Sequence, residues 1–140
     1  MRPLRVEFSA FGPYPGTVSV DFTRLAERGL YVITGPTGSG KTTVFDAMTF
    51  ALYNTMVLKE PKDIRSHHAA PDATTWVRFD FELDGVEYRV ERSPEYERPS
   101  RRGGGTTTEK PSASLVRVEA DGSTTSLATK VRDVTQHCEE

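Results

Sequence analysis

The sequence has almost no cysteine, no long apolar run and no strong excess of either charge, and each lack removes a class of protein. Cys138 is the sole cysteine in 140 residues, so no internal disulfide framework can form, and a free thiol suits a reducing compartment. No run reaches the roughly 18 apolar residues that a membrane-crossing helix needs. The opening MRPLRVEFSAFGPY lacks the apolar core of a secretory signal, so the expectation is a cytoplasmic protein with no membrane partner. The formal net charge is −2, which gives no overall attraction to nucleic acid; a DNA contact would have to come from a local basic patch. Internal repeats and long low-complexity tracts are also missing. What is present, 36% hydrophobic and 27% charged residues over about one domain's length, suits a globular chain with a core of its own.

Hydrophobic periodicity sets out the elements. Leu4, Val6 and Phe8 alternate with polar residues, which predicts a half-buried strand, and Val18, Val20 and Phe22 predict a second one paired with it across the Gly/Pro-rich segment 11–16. The continuous apolar run 29–34 predicts a strand buried on both faces. Residues 41–53, KTTVFDAMTFALY, predict a helix with Val44, Met48, Ala51 and Leu52 on one face. Residues 54–74 read as irregular. Residues 76–83 and 86–92 alternate on either side of Asp84-Gly85, a strong hairpin signal. Residues 93–111 read as a polar loop, 113–119 as a third strand ending at Asp121-Gly122, and the stretch from about Leu127 as the opening of a helix with no C-terminal cap, so the sequence is expected to stop within an element.

One motif carries chemistry. Gly35-Pro36-Thr37-Gly38-Ser39-Gly40-Lys41-Thr42 matches G-x-x-x-x-G-K-[ST], and it stands between an apolar strand pattern and an amphipathic helix. Triphosphate oxygens need several donors converging on a small anion. Backbone N–H groups of a tight loop supply them, and glycine lets the loop wrap closely. Pro36 has no N–H, so the donors are expected from about Gly38 to Thr42, reinforced by the positive end of the helix that follows. Lys41 is a point charge suited to the β- and γ-phosphates, and the Thr42 hydroxyl is the expected Mg²⁺ ligand. Thr43 closes the segment as a helix residue without direct contact. The expected ligands are ATP and Mg²⁺.

The chain resembles the N-terminal part of the SbcC family, the ATPase subunits of SbcCD nucleases, which belong to the SMC-type, ABC-class ATPases of double-strand-break repair. The residues that carry the likeness are Pro3-Leu4, Phe11-Gly12-Pro13-Tyr14, the run 35–53, Arg65-Ser66, Tyr88-Arg89-Val90, Arg92-Ser93-Pro94-Glu95 and Arg102-Gly103. The resemblance implies an α/β fold: a P-loop NTPase half-domain with a central P-loop strand and helix beside an antiparallel β-layer, and residues 1–140 as the N-terminal lobe of an ATPase head. It implies a C-terminal lobe supplying the remaining catalytic motifs, a long coiled coil between the lobes, a head-to-head homodimer sandwiching ATP, a nuclease subunit of SbcD type, and DNA. Coiled-coil heptads, a Ser-Gly-Gly signature, a Cys-x-x-Cys hook and an apolar run ending in Asp-Glu do not occur in this sequence. Phe79-Asp80-Phe81-Glu82 alternates and reads as strand; Gln136 is not assigned the γ-phosphate-sensing role.

Other candidates keep two readings each. Arg98, Arg101, Arg102 and Lys110 form either a DNA-backbone contact or a solvated loop. Asp46, one turn after Lys41, either orients the phosphate loop or solubilises the helix. Residues 11–14 either line a nucleotide base or form only a turn. His67-His68 lack metal-ligand spacing, and Trp76 reads as a packing residue. Two other functions stand beside the ATPase half-domain: a truncated, non-catalytic nucleotide-binding fragment, and a small P-loop kinase or transferase, against which the antiparallel hairpins argue.

Overall fold

The structure, a computed structural model, describes residues 1–24, 32–56, 64–100 and 103–140. Strands β1 (Arg2–Phe11), β2 (Tyr14–Asp21), β3 (Trp76–Leu83), β4 (Val86–Ser93), β7 (Ser112–Val118) and β8 (Thr124–Ala128) form one antiparallel sheet in the order β2-β1-β3-β4-β7-β8. A separate two-stranded ribbon pairs β5 (Tyr96–Pro99) with β6 (Thr106–Glu109). Helices α1 (Lys41–Tyr53) and α2 (Val131–Glu139) pack on the large sheet, α1 against β1, β3 and β4, α2 against β7 and β8.

Alternation decides which face is buried. Val6 and Phe8 of β1, Val77 and Phe79 of β3, Val90 of β4 and Leu115 of β7 point into the core. There they meet Ala47, Phe50 and Ala51 of α1 and Val134 of α2. The β3–β4 turn is Asp84-Gly85, whose φ values of 52° and 79° are the pair of positive angles that a two-residue hairpin requires. Asp80 on β3 faces Arg89 on β4 in register, and its carboxylate accepts from Arg89 Nε at 2.7 Å and Nη2 at 3.2 Å. That ion pair fixes 79–82 as strand and holds the Arg89 guanidinium even more firmly protonated than usual.

Three expectations are corrected. Residues 93–111 are not loop throughout: Tyr96 is buried, and Arg98 Nε donates to Glu109 Oε2 across the ribbon at 2.6 Å. Leu127 lies in β8, not in a helix, and α2 begins at Val131. The central strand expected at 29–34 is not seen in its described part: residues 32–36 pair with no strand and Val32 is 79% exposed, while 29–31 lie outside the described residues. An apolar run becomes a strand only where a neighbour completes its hydrogen-bond ladder, and no described strand pairs with residues 32–34.

Candidate functional site

The segment 35–43 leads from an exposed stretch into the first turn of α1. Gly38 and Gly40 both take positive φ, 84° and 83°, which glycine adopts at little cost and which turns the backbone tightly, and between them the Ser39 N–H donates to Pro36 O at 3.2 Å. Gly40 is also the N-cap of α1, and no side chain caps it; the Thr43 N–H donates to Gly40 O at 3.1 Å, and the first N–H groups of the helix adjoin this loop. Side chains have no room at two positions. A Cβ on Gly35 would come within 2.8 Å of Ser39 Oγ, and one on Gly40 within 2.5 Å of the Tyr14 hydroxyl.

The Lys41 ammonium donates to the carbonyl oxygens of Gly35 at 2.7 Å and Pro36 at 2.6 Å, which holds the cation across the loop. An ammonium has three donors, so two backbone acceptors leave capacity for an anion. Thr42 is exposed at the helix start, whereas Thr43 is buried and rests against Gly12, where an added Cβ would lie 3.0 Å from Thr43 Cγ2. Asp46 is half-buried with no hydrogen-bond partner for Oδ1 among the described residues. It stands one turn beyond Thr42 on the same side of the helix.

The turn 11–14 is built against this loop. Gly12 N donates to Ile64 O at 2.8 Å, Phe11 bridges to Arg65, and Phe11, Phe8 and Tyr14 form a chain of tilted ring contacts, with Phe11 reaching Phe50 of α1. The Tyr14 hydroxyl donates to Ser39 O at 2.9 Å. The sequence shows the FGPY segment but not this contact, because nothing in a turn 25 residues upstream names its partner.

Nothing in the chemistry of Arg92 marks it in the sequence as a functional residue, yet it is 1% exposed. Its Nε donates to Ala51 O at 2.9 Å and its Nη2 to Leu52 O and Thr135 Oγ1, both at 3.3 Å. The guanidinium thus satisfies carbonyls at the C-terminal end of α1 and ties that end to α2; burial lowers its proton affinity, and Nη1 has no partner among the described residues. Its signal in the sequence is register: Arg92 follows Val90 by two residues and therefore shares its inward face.

Of the basic set, Arg98 is engaged by Glu109 and Lys110 is exposed; Arg101 and Arg102 lie outside the described residues. A cleft of about 550 Å³ beside Arg98 and Lys110 also carries Asp72, Glu91 and Glu109, so its charge is mixed. Trp76 sits in β3 with Arg78 over its ring at 5.6 Å, as a packing residue would. No helix among the described residues is long and apolar enough to cross a membrane.

The model of the AAA domain family matches residues 5–135. The chain belongs to the AAA domain family. It is 42% identical over 124 residues to a protein of Vibrio cholerae named as the SbcC component of nuclease SbcCD, covering 87% of this chain and 12% of that protein. Lactococcus lactis and Treponema pallidum proteins of the same name are 42% and 40% identical over 120 and 96 residues. Those matches cover 85% and 66% of this chain but only 11% and 9% of the relatives. The likeness to SbcC carried by the motifs is thus matched across most of this AAA domain, which spans about an eighth of such a relative's length.

Proposed function

We propose that this AAA domain binds Mg·ATP through residues 35–42 and serves as the N-terminal ATPase lobe of an SbcC-type protein. The observation that carries the proposal is the Lys41 ammonium, held by two loop carbonyls beside two positive-φ glycines at an uncapped helix start. Such a loop offers a convergent set of N–H donors and one cation, a donor set that fits a polyphosphate and little else of comparable size. The exposed Thr42 hydroxyl would hold Mg²⁺, which supplies charge neutralisation at the β- and γ-phosphates. In this reading Lys41 binds and orients the terminal phosphates, the amides from Gly38 to Thr42 fix the chain of phosphates, and Thr43, buried against Gly12, anchors the helix without touching ligand.

Hydrolysis also needs a group that orients the attacking water and charge stabilisation at the transferred phosphoryl group. Neither role has a candidate among the described residues of the loop's surroundings. We therefore propose that turnover requires a C-terminal lobe and a head-to-head partner, within a nuclease complex that contains an SbcD-type protein and acts on DNA in the cytoplasm. Support comes from the name of the relatives, which places them in nuclease SbcCD, and from apolar residues exposed around α1, Phe45 at 50% and Tyr53 at 41%, surface that a further lobe would cover. Phosphate release tests this. The chain alone should turn over negligibly, and Lys41-dependent release should emerge when the C-terminal segment of an SbcC relative is added. Robust Lys41-dependent hydrolysis by the chain alone would instead favour a stand-alone NTPase or small kinase.

A further inference from the structure

We infer that Tyr14 is a positioning residue that presets the Ser39–Gly40 peptide for phosphate binding; the inference rests on the nucleotide site proposed above. The Tyr14 hydroxyl donates to Ser39 O at 2.9 Å. Across a trans peptide, C=O and N–H point in opposite directions, so pinning the Ser39 carbonyl toward Tyr14 turns the Gly40 N–H away from it, to the other side of the loop. That amide stands one residue before Lys41 and at the mouth of α1. Without a pin the peptide could rotate more easily, because its orientation is set in part by φ of Gly40, 83°, and glycine crosses between backbone regions at little cost.

The surroundings make Tyr14 a stiff support. Its ring packs on Phe8, centroids 5.5 Å apart, and Phe8 is fully buried in the core. The side chain also lies where any Cβ on Gly40 would be, with its hydroxyl oxygen 2.5 Å and two ring carbons 2.7 Å from that position. The hydroxyl therefore reaches the loop from a fixed base, and a loop whose donors are already aimed loses less freedom on binding. Thr43 against Gly12 secures the next residues of the helix from the same turn.

Tyr14→Phe removes the hydroxyl and keeps the ring. Calorimetric titration of the full chain with Mg·ATP, alongside Lys41→Ala and thermal unfolding without nucleotide, tests the assignment. The expected result is affinity weakened by about three- to tenfold in Tyr14→Phe, the worth of one hydrogen bond, with an unfolding midpoint lowered by no more than about 4 °C, the variant folded at the titration temperature and the Gly40 amide resonance shifted. Wild-type affinity in Tyr14→Phe while Lys41→Ala loses binding would overturn the role of Tyr14 and leave the site standing. An affinity loss in Tyr14→Phe with the Gly40 amide resonance unmoved would reduce Tyr14 to a packing residue and also overturn it. Wild-type affinity in Lys41→Ala would remove the site itself.

Discussion

Replacing Arg92 separates what a buried guanidinium contributes from what it costs. The side chain is 1% exposed, its positive charge has no carboxylate partner among the described residues, and burial already works against its protonated form. Against that cost stand a 2.9 Å bond to Ala51 O, two longer bonds of 3.3 Å to Leu52 O and Thr135 Oγ1, and a cation at the negative end of α1. A charge-assisted bond contributes about 2 kcal/mol, and each carbonyl left buried without a partner costs about 1–3 kcal/mol. Relief of the buried ion offsets part of this loss. Arg92→Met, which keeps most of the volume, should therefore lose about 2 kcal/mol. Arg92→Ala adds a cavity under α1 and α2 and should lose about 4 kcal/mol. Urea unfolding at constant m-value reads both, as would falls in Tm of roughly 6 °C and 12 °C. If Arg92→Met is as stable as the wild type or more so, the guanidinium is not a net cap for α1 and the reasoning fails.

Gly40→Ala should cost about 2 kcal/mol, since alanine is strained at φ 83° and its Cβ collides with the Tyr14 ring; wild-type stability and Mg·ATP affinity would contradict the tight packing of turn 11–14 on the loop. Burial raises the thiol pKa of Cys138, so the folded state favours the neutral form. Its contribution is complete below the unfolded thiol's pKa, about 8.5, and is lost as pH rises through the higher folded value; Cys138→Ser should flatten that alkaline fall in stability, measured by urea unfolding between neutral and alkaline pH. Ser123, first by its hydroxyl and then by its amide, holds the Asp121 carboxyl below the usual aspartate range, so NMR titration of Ser123→Ala should show the Asp121 midpoint moving up. If Arg101 and Arg102 contact DNA phosphates in an assembled head, changing both to Ala should lower the slope of log K against log salt by roughly 0.9 per contact, and an unchanged slope would make them solvated surface.

Alternation made most of the large sheet legible. Leu4, Val6 and Phe8, and the runs around Asp84-Gly85, have period 2 with one apolar face, and they became β1, β3 and β4. Helix α1 was legible to the residue because a glycine-rich start and a 3.6 period coincide at Lys41. The ribbon was not, because Glu97, Arg98 and Thr106 to Thr108 alternate without an apolar face, and only Tyr96 is buried by it. Strand β8 was missed for the same reason: Thr124, Thr125 and Ser126 carry no apolar signal, and Leu127-Ala128 borrow the look of the helix that begins at Val131. Of the run 29–34, the described residues 32–34 pair with no strand, since apolar content says nothing of whether a partner strand is present. At the site, the motif's spacing showed that the glycine loop runs directly into a helix, with Lys41 and Thr42 in its first turn. The Tyr14 contact and the Arg92 cap join residues 25 and 41 apart, and such pairings emerge only from the packed sheet.

Mg·ATP binding through Lys41 is measured most directly by titrating the full chain and its Lys41→Ala variant with Mg·ATP in a calorimeter. The wild type should bind one nucleotide, and Lys41→Ala, folded by circular dichroism, should lose most of the affinity because the cation held over the Gly35 and Pro36 carbonyls is gone. Equal binding by the two proteins would contradict the assignment of residues 35–42 as a nucleotide site.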